Sequence, residues 1–475
     1  MKKPIGAIIL ITVLCLFATT VFANSGPVFW KGYPSSDIMF VEEDSPITVE
    51  NENLIFDFSD SDDSGYTITG KATARYKMVN STDKLQSVQM AFPFVGRLRE
   101  LLPDDIIITA DDNVVPYDIY IGDVVHSYGD PRKQEEEVSF DFKSIVNTIT
   151  NDLYKAKNFS ENEKGKLYTI EVKPTTDQKI NFAVDSNFDL KTTIILTDGF
   201  NRYERDDDKV RIAAWCYEPE ILEIYVLGED IDLNINAYTD GELKEGTDLF
   251  TYKISAKEVE LTPYLLERMK NNPYRNKNDM ISDDMISDVQ LYNMYAKALD
   301  EYITHNMGYV SLYDLMDQDN YQRIFTLVYT VEFPHSSERE GSISYYTSGT
   351  MDKTKTVDPL YTFDYILNPA KHWKDFKDLN IKVIAPEKAP HIVKSSIEFT
   401  KGENNTYTAT LNKLPEDDLS FTLYANEKIT LQDRIKGKLN NKFGYFFPFV
   451  ANAAALLVVA VIIIVVQKRK KNKCI

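Results

Sequence analysis

Apolar and polar residues alternate from Tyr66 to Asn80, placing Ala72, Ala74, Tyr76 and Met78 on one side. That two-residue period predicts a half-buried strand. Asn80-Ser81-Thr82-Asp83 supplies turn chemistry, and Val88-Gln89-Met90-Ala91-Phe92 predicts the returning strand, with Pro93 ending it or marking an edge. Ile106-Ile107-Ile108-Thr109 and Val114-Val115-Pro116-Tyr117 flank Asp111-Asp112-Asn113, a hairpin signal. The period lengthens over 141–156, where Phe142, Ile145, Val146, Ile149 and Leu153 make one helical stripe. A polar loop over 158–166 follows. Strands are predicted at 167–172, 179–184, 192–197, 209–215 and 221–226, with turns at Asp198-Gly199, Asp206-Asp207-Asp208 and Asp240-Gly241.

A helical pattern then runs over about 262–317. Thr262-Pro263 reads as an N-cap followed by proline at the first helical position. A longer helix over 287–305 puts Val289, Leu291, Met294, Tyr295, Ala298, Leu299 and Tyr302 on one face. The tandem repeat DMISD-DMISD at 279–288 reads as a surface duplication, which exposed loops tolerate. Alternation returns with Phe325, Leu327, Tyr329, Val331 and Phe333, then at 381–384, 407–411 and 419–424.

Two continuous apolar runs stand apart from this patterning, one at each end. The first follows Lys2 and Lys3 and closes on Val21-Phe22-Ala23, as an export signal does. The second, 443–466, is 24 uncharged residues followed by Lys468, Arg469, Lys470, Lys471 and Lys473. It is long enough to cross a hydrocarbon core, carries aromatic residues at its outer end, and ends in charges that hold the tail inside. No LPxTG-like cleavage sequence precedes it, so a retained anchor is expected. The expected order is a signal peptide (1–23), an N-terminal β-sandwich-like module (24–135), a helical insertion (136–166) and a β module (167–256). A helical block (257–320), a C-terminal β module (321–432), a stalk (433–442), a transmembrane helix (443–466) and a basic cytoplasmic tail (467–475) complete it. The fold class expected is mainly β with helical insertions: two or more β-sandwich-like modules plus a C-terminal transmembrane helix.

Within the first module, a strand containing Tyr76-x-x-x-Asn80, a turn, a strand ending in Phe92-Pro93 and a hairpin about an Asp/Asn turn resemble the β-sandwich module of vault and inter-α-inhibitor proteins. About 60 residues carry the likeness. The same stretch is similar to the N-terminal module of exported, single-pass bacterial surface proteins. The resemblance implies a sandwich and a role in assembly or at the surface, and no site.

Charge and cysteine content narrow the function. The net charge is −20; without Lys2, Lys3 and the five basic residues of the tail, the expected exported part carries −27. Such acidity argues against nucleic acid and against lying on anionic lipid. Of three cysteines, Cys15 falls in the signal and Cys474 in the tail, so Cys216 is alone outside and no intramolecular disulfide is expected there. It reads as a buried small hydrophobe rather than a nucleophile.

The best metal candidate is Asp60-Ser61-Asp62-Asp63-Ser64-Gly65, where Asp60, Asp62 and Ser64 match the start of a calcium loop. Lys71 stands at the twelfth place, where an EF-hand needs a carboxylate, so an acidic turn is the favoured reading and no cofactor is required. The five histidines show no metal-ligand spacing, and there is no G-x-S-x-G elbow. Ser81-Thr82-Asp83-Lys84 satisfies S-x-x-K but falls in a turn. The many tyrosines and phenylalanines suit a core and cross-strand pairs before a carbohydrate platform.

The expected function is therefore non-catalytic: a protein of the bacterial cell membrane whose bulk lies outside and binds or assembles with an envelope component, its partner being another envelope protein. The alternatives are an anchored hydrolase, which would need two carboxylates facing one cleft, and an accessory subunit of a transporter.

Overall fold

The computed structural model describes residues 28–42, 45–61, 65–101, 105–125, 142–189, 191–271, 285–306, 308–367, 373, 375–443 and 456. The segment expected as an export signal and the basic tail lie outside these residues, as does the apolar run apart from Phe443 and Leu456. Among the described residues no helix is long and apolar enough to cross a membrane.

The chain is mainly β. The alternating segment forms strand Thr69–Asn80, with Ala72, Ala74, Tyr76 and Met78 all buried. It lies within an eight-stranded sheet, paired on one side with Ile47–Asp57 and on the other with Ser337–Ser348. A second sheet places Gln86–Gly96 beside Arg323–Phe333, whose inward face carries Phe325, Leu327, Tyr329, Val331 and Phe333 as expected. A third sheet is centred on Leu360–Ile366 and Leu419–Tyr424. All three contribute to one apolar core. The segments 24–135 and 321–432, expected as separate modules, thus share all three sheets, because strands more than 200 residues apart pair with one another. Pro93 does not end its strand, which continues to Gly96. Only Arg323–Phe333 pairs with it there, the short strand Met39–Phe40 covering the other edge at Met90 and Ala91 alone.

Two corners lead from the eight-stranded sheet to the second one, at 81–85 and 334–336. Asn80, fully buried, joins them: its Nδ2 donates to the carbonyls of Lys84 (2.8 Å), Phe333 (3.1 Å) and Pro334 (2.9 Å). Its Oδ1 accepts from the Thr82 N–H at 3.0 Å. The hairpin of Ile106–Ala110 and Asn113–Val114 turns on Asp111 and Asp112, both with positive φ (47° and 63°), the two-residue turn that matches strand twist.

The middle of the chain is layered. Strands Lys164–Pro174, Glu220–Gly228, Thr193–Asp198 and Phe250–Glu260 belong to one sheet, and Ile180–Asn187 and Lys209–Cys216 to another. Tyr168, Ile170, Ile224 and Val226 meet Phe182, Val184, Ile212 and Ala214 between the two. The opposite parity, Leu167, Tyr225 and Leu227, packs into the larger core with the helices. Alternation therefore serves two apolar faces here.

Five helices are described: α1 (Phe142–Thr148), α2 (Leu261–Lys270), α3 (Asp288–Asn306), α4 (Leu312–Met316) and α5 (Leu431–Phe443). α1 is half as long as the stripe predicts. Beyond it, side chains of α3 take over the backbone: Asn293 Oδ1 accepts from Tyr154 N at 2.7 Å, and Asp300 accepts from the Lys157 and Asn158 N–H groups at 2.9 and 3.0 Å. Thr262 is not the cap of α2. The helix starts at Leu261, directly from the preceding strand, and the Thr262 hydroxyl donates to Glu161 O at 2.6 Å. The expected polar stalk is helical and seated on the body: Gly437 is buried, and a Cβ there would stand 2.4 Å from Thr356 N. The DMISD repeat lies outside the described residues up to position 284.

Candidate functional site

The described part of the acidic loop, between Ile47–Asp57 and Thr69–Asn80, opens with a turn at Ser59 and Asp60. Asp60 is exposed, while Asp62 and Ser64 lie outside the described residues. Asp57 organises the turn by accepting from Ser59 N (3.0 Å) and Ser59 Oγ (2.7 Å), as turn-forming aspartates do. Among the described residues no three His, Cys, Asp or Glu side chains gather as a metal would need. Cys216 is fully buried, and burial pushes its thiol up to about 12, which leaves it protonated and unreactive at neutral pH.

Two other constellations emerge. The first is an open cleft of about 820 Å³ on the middle layers. Its walls are the turn Asp198-Gly199-Phe200-Asn201, Arg202 and Tyr203 beyond it, the end of α2 with Arg268 and Asn271, strand Tyr309–Ser311, and α4. Gly199 holds that turn at φ +80°, a conformation costly for any side chain. Tyr309–Ser311 pairs in parallel with Thr193–Asp198, which sets the Tyr309 ring flat against Tyr203, 3.9 Å between centroids and 12° between planes. Thr197 Oγ1 donates to the Tyr309 hydroxyl at 3.2 Å. Tyr313, 58% exposed, stands at the rim.

Charge in the cleft is mixed. Arg268 is ion-paired with Glu223 and lies 3.6 Å from Asp198. Burial holds the Glu223 carboxyl above its ordinary range even so, outweighing the guanidinium. Burial, with Asp317 adding repulsion, also raises Asp314. Asp198 and Asp314 thus line one cleft in different settings, the first beside an arginine and the second desolvated. Sequence patterning missed this site because its residues come from four elements spread over more than 100 positions. The surplus of tyrosine was the one signal, and it did not single out Tyr203, Tyr309 or Tyr313.

The second constellation lies inside the core. A bulge between Val49 and Asn51 shifts the ladder so that Glu52 comes opposite Tyr76 and points inward. Asp37 sits where the chain steps from strand Ser35–Ser36 to Met39–Phe40. Both carboxyls are fully buried. Asp37 Oδ1 accepts from Tyr76 OH at 2.5 Å and from Ile38 N at 2.8 Å. Asp37 Oδ2 and both Glu52 oxygens meet no such donor, and the two carboxyls face each other. A proton held on either carboxyl would supply the missing donor. Burial raises Asp37 to about 7, partly offset by its bonds to Tyr76 and Ile38, and burial with the Asp37 charge raises Glu52 well above the usual range. Tyr345 and Tyr365 enclose the pair, and the Trp373 ring stands edge-on to Tyr76 at 5.5 Å.

No protein-family profile and no curated protein sequence matches the chain. Among solved structures, 84% of it is similar to 73% of a chain from Legionella pneumophila subsp. pneumophila str. Philadelphia 1 described as a "putative nutrient binding protein", with 10% sequence identity and a TM-score of 0.34. At that score the likeness bears on neither the fold nor the function of this chain.

Proposed function

We propose that the chain is a non-catalytic protein of the bacterial cell surface, anchored by its C-terminal apolar run, which holds a segment of another envelope component in the cleft beside Tyr203 and Tyr309. One observation carries this: the cleft offers aromatic faces, backbone polar groups and both signs of charge in a space of about 820 Å³, the make-up of a binding site. The terminal apolar runs, expected as an export signal and an anchor, and the acidic composition support a cleft that lies outside the membrane and away from nucleic acid and anionic lipid. Photo-crosslinking in intact cells tests the reading. A photoreactive residue at Tyr313 is expected to capture a discrete envelope component that one at Tyr66, exposed and not part of the cleft lining, does not. No adduct at Tyr313, or the same adducts at both, overturns it.

A second reading rests on Asp314. A desolvated carboxyl in the same cleft as a carboxylate beside an arginine is the contrast of environments that acid–base hydrolysis of glycosidic bonds uses. Under that reading the full chain releases soluble fragments from purified cell wall and Asp314→Asn stops the release. Under the binding reading neither protein releases any.

A further inference from the structure

Residues 28–40 cross the body as a strap tied by short ladders. Phe29 and Trp30 pair with Asp352 and Met351, Ser35 and Ser36 run parallel to Tyr365 and Ile366, and Met39 and Phe40 pair with Ala91 and Met90. Between ladders, Gly32 N donates to Thr350 Oγ1 at 3.0 Å, Ser35 and Thr347 share a hydroxyl bond at 2.8 Å, and Asp37 N donates to Ile366 O at 3.1 Å. Each ladder is two residues long, whereas Thr69–Asn80 and Ser337–Ser348 pair over twelve. The strap is thus held by fewer backbone pairs than the long strands of this core, and its hold rests on what residues 35–40 bury. Ser35 to Phe40 are all buried, Ile38 and Phe40 in the apolar core, and among them Asp37 is the one ionisable group, a carboxyl facing a second carboxyl.

We propose that Asp37 and Glu52 form a proton-operated latch, which fastens residues 28–40 across two sheets while the pair shares a proton and frees them when both carboxyls are ionised. The geometry allows few alternatives. The groups facing the pair are Tyr76 from Thr69–Asn80, Tyr329 from Arg323–Phe333, Tyr345 from Ser337–Ser348 and Tyr365 from Leu360–Ile366. None is basic, so among the described residues no cation compensates a second negative charge. Two buried carboxylates in contact repel, and the interior does not screen them. Glu52 is fixed in an eleven-residue strand paired on both sides, while Asp37 stands between two-residue strands, so Asp37 is the partner that moves. Its departure withdraws Met39 and Phe40 from Met90 and Ala91 of Gln86–Gly96, which makes the latch a means by which external pH uncovers these two edge positions. This holds whether or not the cleft binds an envelope component.

Hydrogen exchange of the full chain in detergent, resolved to peptides and followed from pH 5 to pH 9, tests the latch. Protection of 29–41, corrected for intrinsic exchange, is expected to fall at least tenfold between pH 6 and pH 9, while that of Thr69–Asn80 and Arg323–Phe333 stays constant. In the double variant Asp37→Asn, Glu52→Gln, which keeps donors and acceptors without titration, protection of 29–41 is expected not to change with pH. Constant protection in the wild type, or a fall that persists in the double variant, overturns the proposal. Should the double variant not fold, infrared spectra of the wild type decide: the carbonyl band of a protonated carboxylic acid must survive at pH 7 and vanish in step with protection, and its absence at pH 6 overturns the latch.

Discussion

At the scale of single residues, the polar groups that matter most are those the core has enclosed. Asn80 satisfies three carbonyls at two corners of the fold. Replacing it with alanine strands those carbonyls in the interior, and a buried unsatisfied group costs about 1–3 kcal/mol. Asn80→Ala is therefore expected to lower stability by about 3 kcal/mol in urea unfolding; a loss under about 0.5 kcal/mol would show that water replaces the amide. Cys216 gives the opposite kind of prediction. Buried and protonated, it is expected to resist a thiol reagent at pH 8 in the folded chain and to react in urea, with the site of modification mapped by mass spectrometry. Rapid native labelling at Cys216 would refute its placement inside the sheet. Asn80 was legible as a turn residue in the sequence, but its reach to Phe333 and Pro334 was not, since nothing local marks a contact 253 residues away.

At the scale of elements, what the sequence showed and what it hid divide along a physical line. Strands with one or two buried faces repeat every second residue, so 419–424 and 209–215 were found within a residue of their observed ends. The same pattern holds no record of which strand lies alongside, and the union of 24–135 with 321–432 was missed for that reason. The Val49–Asn51 bulge was missed too, because one extra residue breaks the alternation that would reveal Glu52 as inward-facing. The stalk was misjudged because helix α5 buries little: it touches the body at a glycine, and only a residue without a side chain can meet Thr356 so closely. Thr430 caps it, accepting from Asp433 N at 3.1 Å while Asp433 accepts from Thr430 N at 3.0 Å. Gly437→Val should lift α5 from the body. Exchange protection across Leu431–Phe443 is expected to fall while that of Leu360–Ile366 is unchanged, and unaltered protection in α5 would show that its seat lies elsewhere.

At the scale of the whole molecule, the buried pair sets the dependence of stability on pH. Asp37 has a raised value in the folded state, about 7 against an ordinary 3.8, so the folded chain holds a proton that the unfolded chain has released between those limits. The folded form then binds more protons, and stability falls as pH rises, by about 1.4 kcal/mol per unit for each proton concerned. The loss begins above about pH 4 and proceeds to about pH 7, and Glu52, which is raised too, adds to it. Glu223 and Asp314, also raised, add in the same direction. On the acid side the sign reverses. Asp300 is held below its ordinary value, bonds from Lys157, Asn158 and Tyr154 outweighing its desolvation, so its contribution is present above about pH 4 and is lost as pH falls further. Stability should therefore peak near pH 4–5, on the acid side of the range from about 5 to 8 where proteins are ordinarily most stable. General charge repulsion is least near the pI of about 4.8 and favours the same peak, but few groups titrate between pH 5 and pH 8 in a chain with five histidines, so the continued fall over that range belongs to the buried carboxyls. Thermal unfolding from pH 4 to pH 8 is expected to show a steady fall in midpoint, reduced in Asp37→Asn. A midpoint that rises toward pH 7 would mean that the two carboxyls are not held together in the folded core.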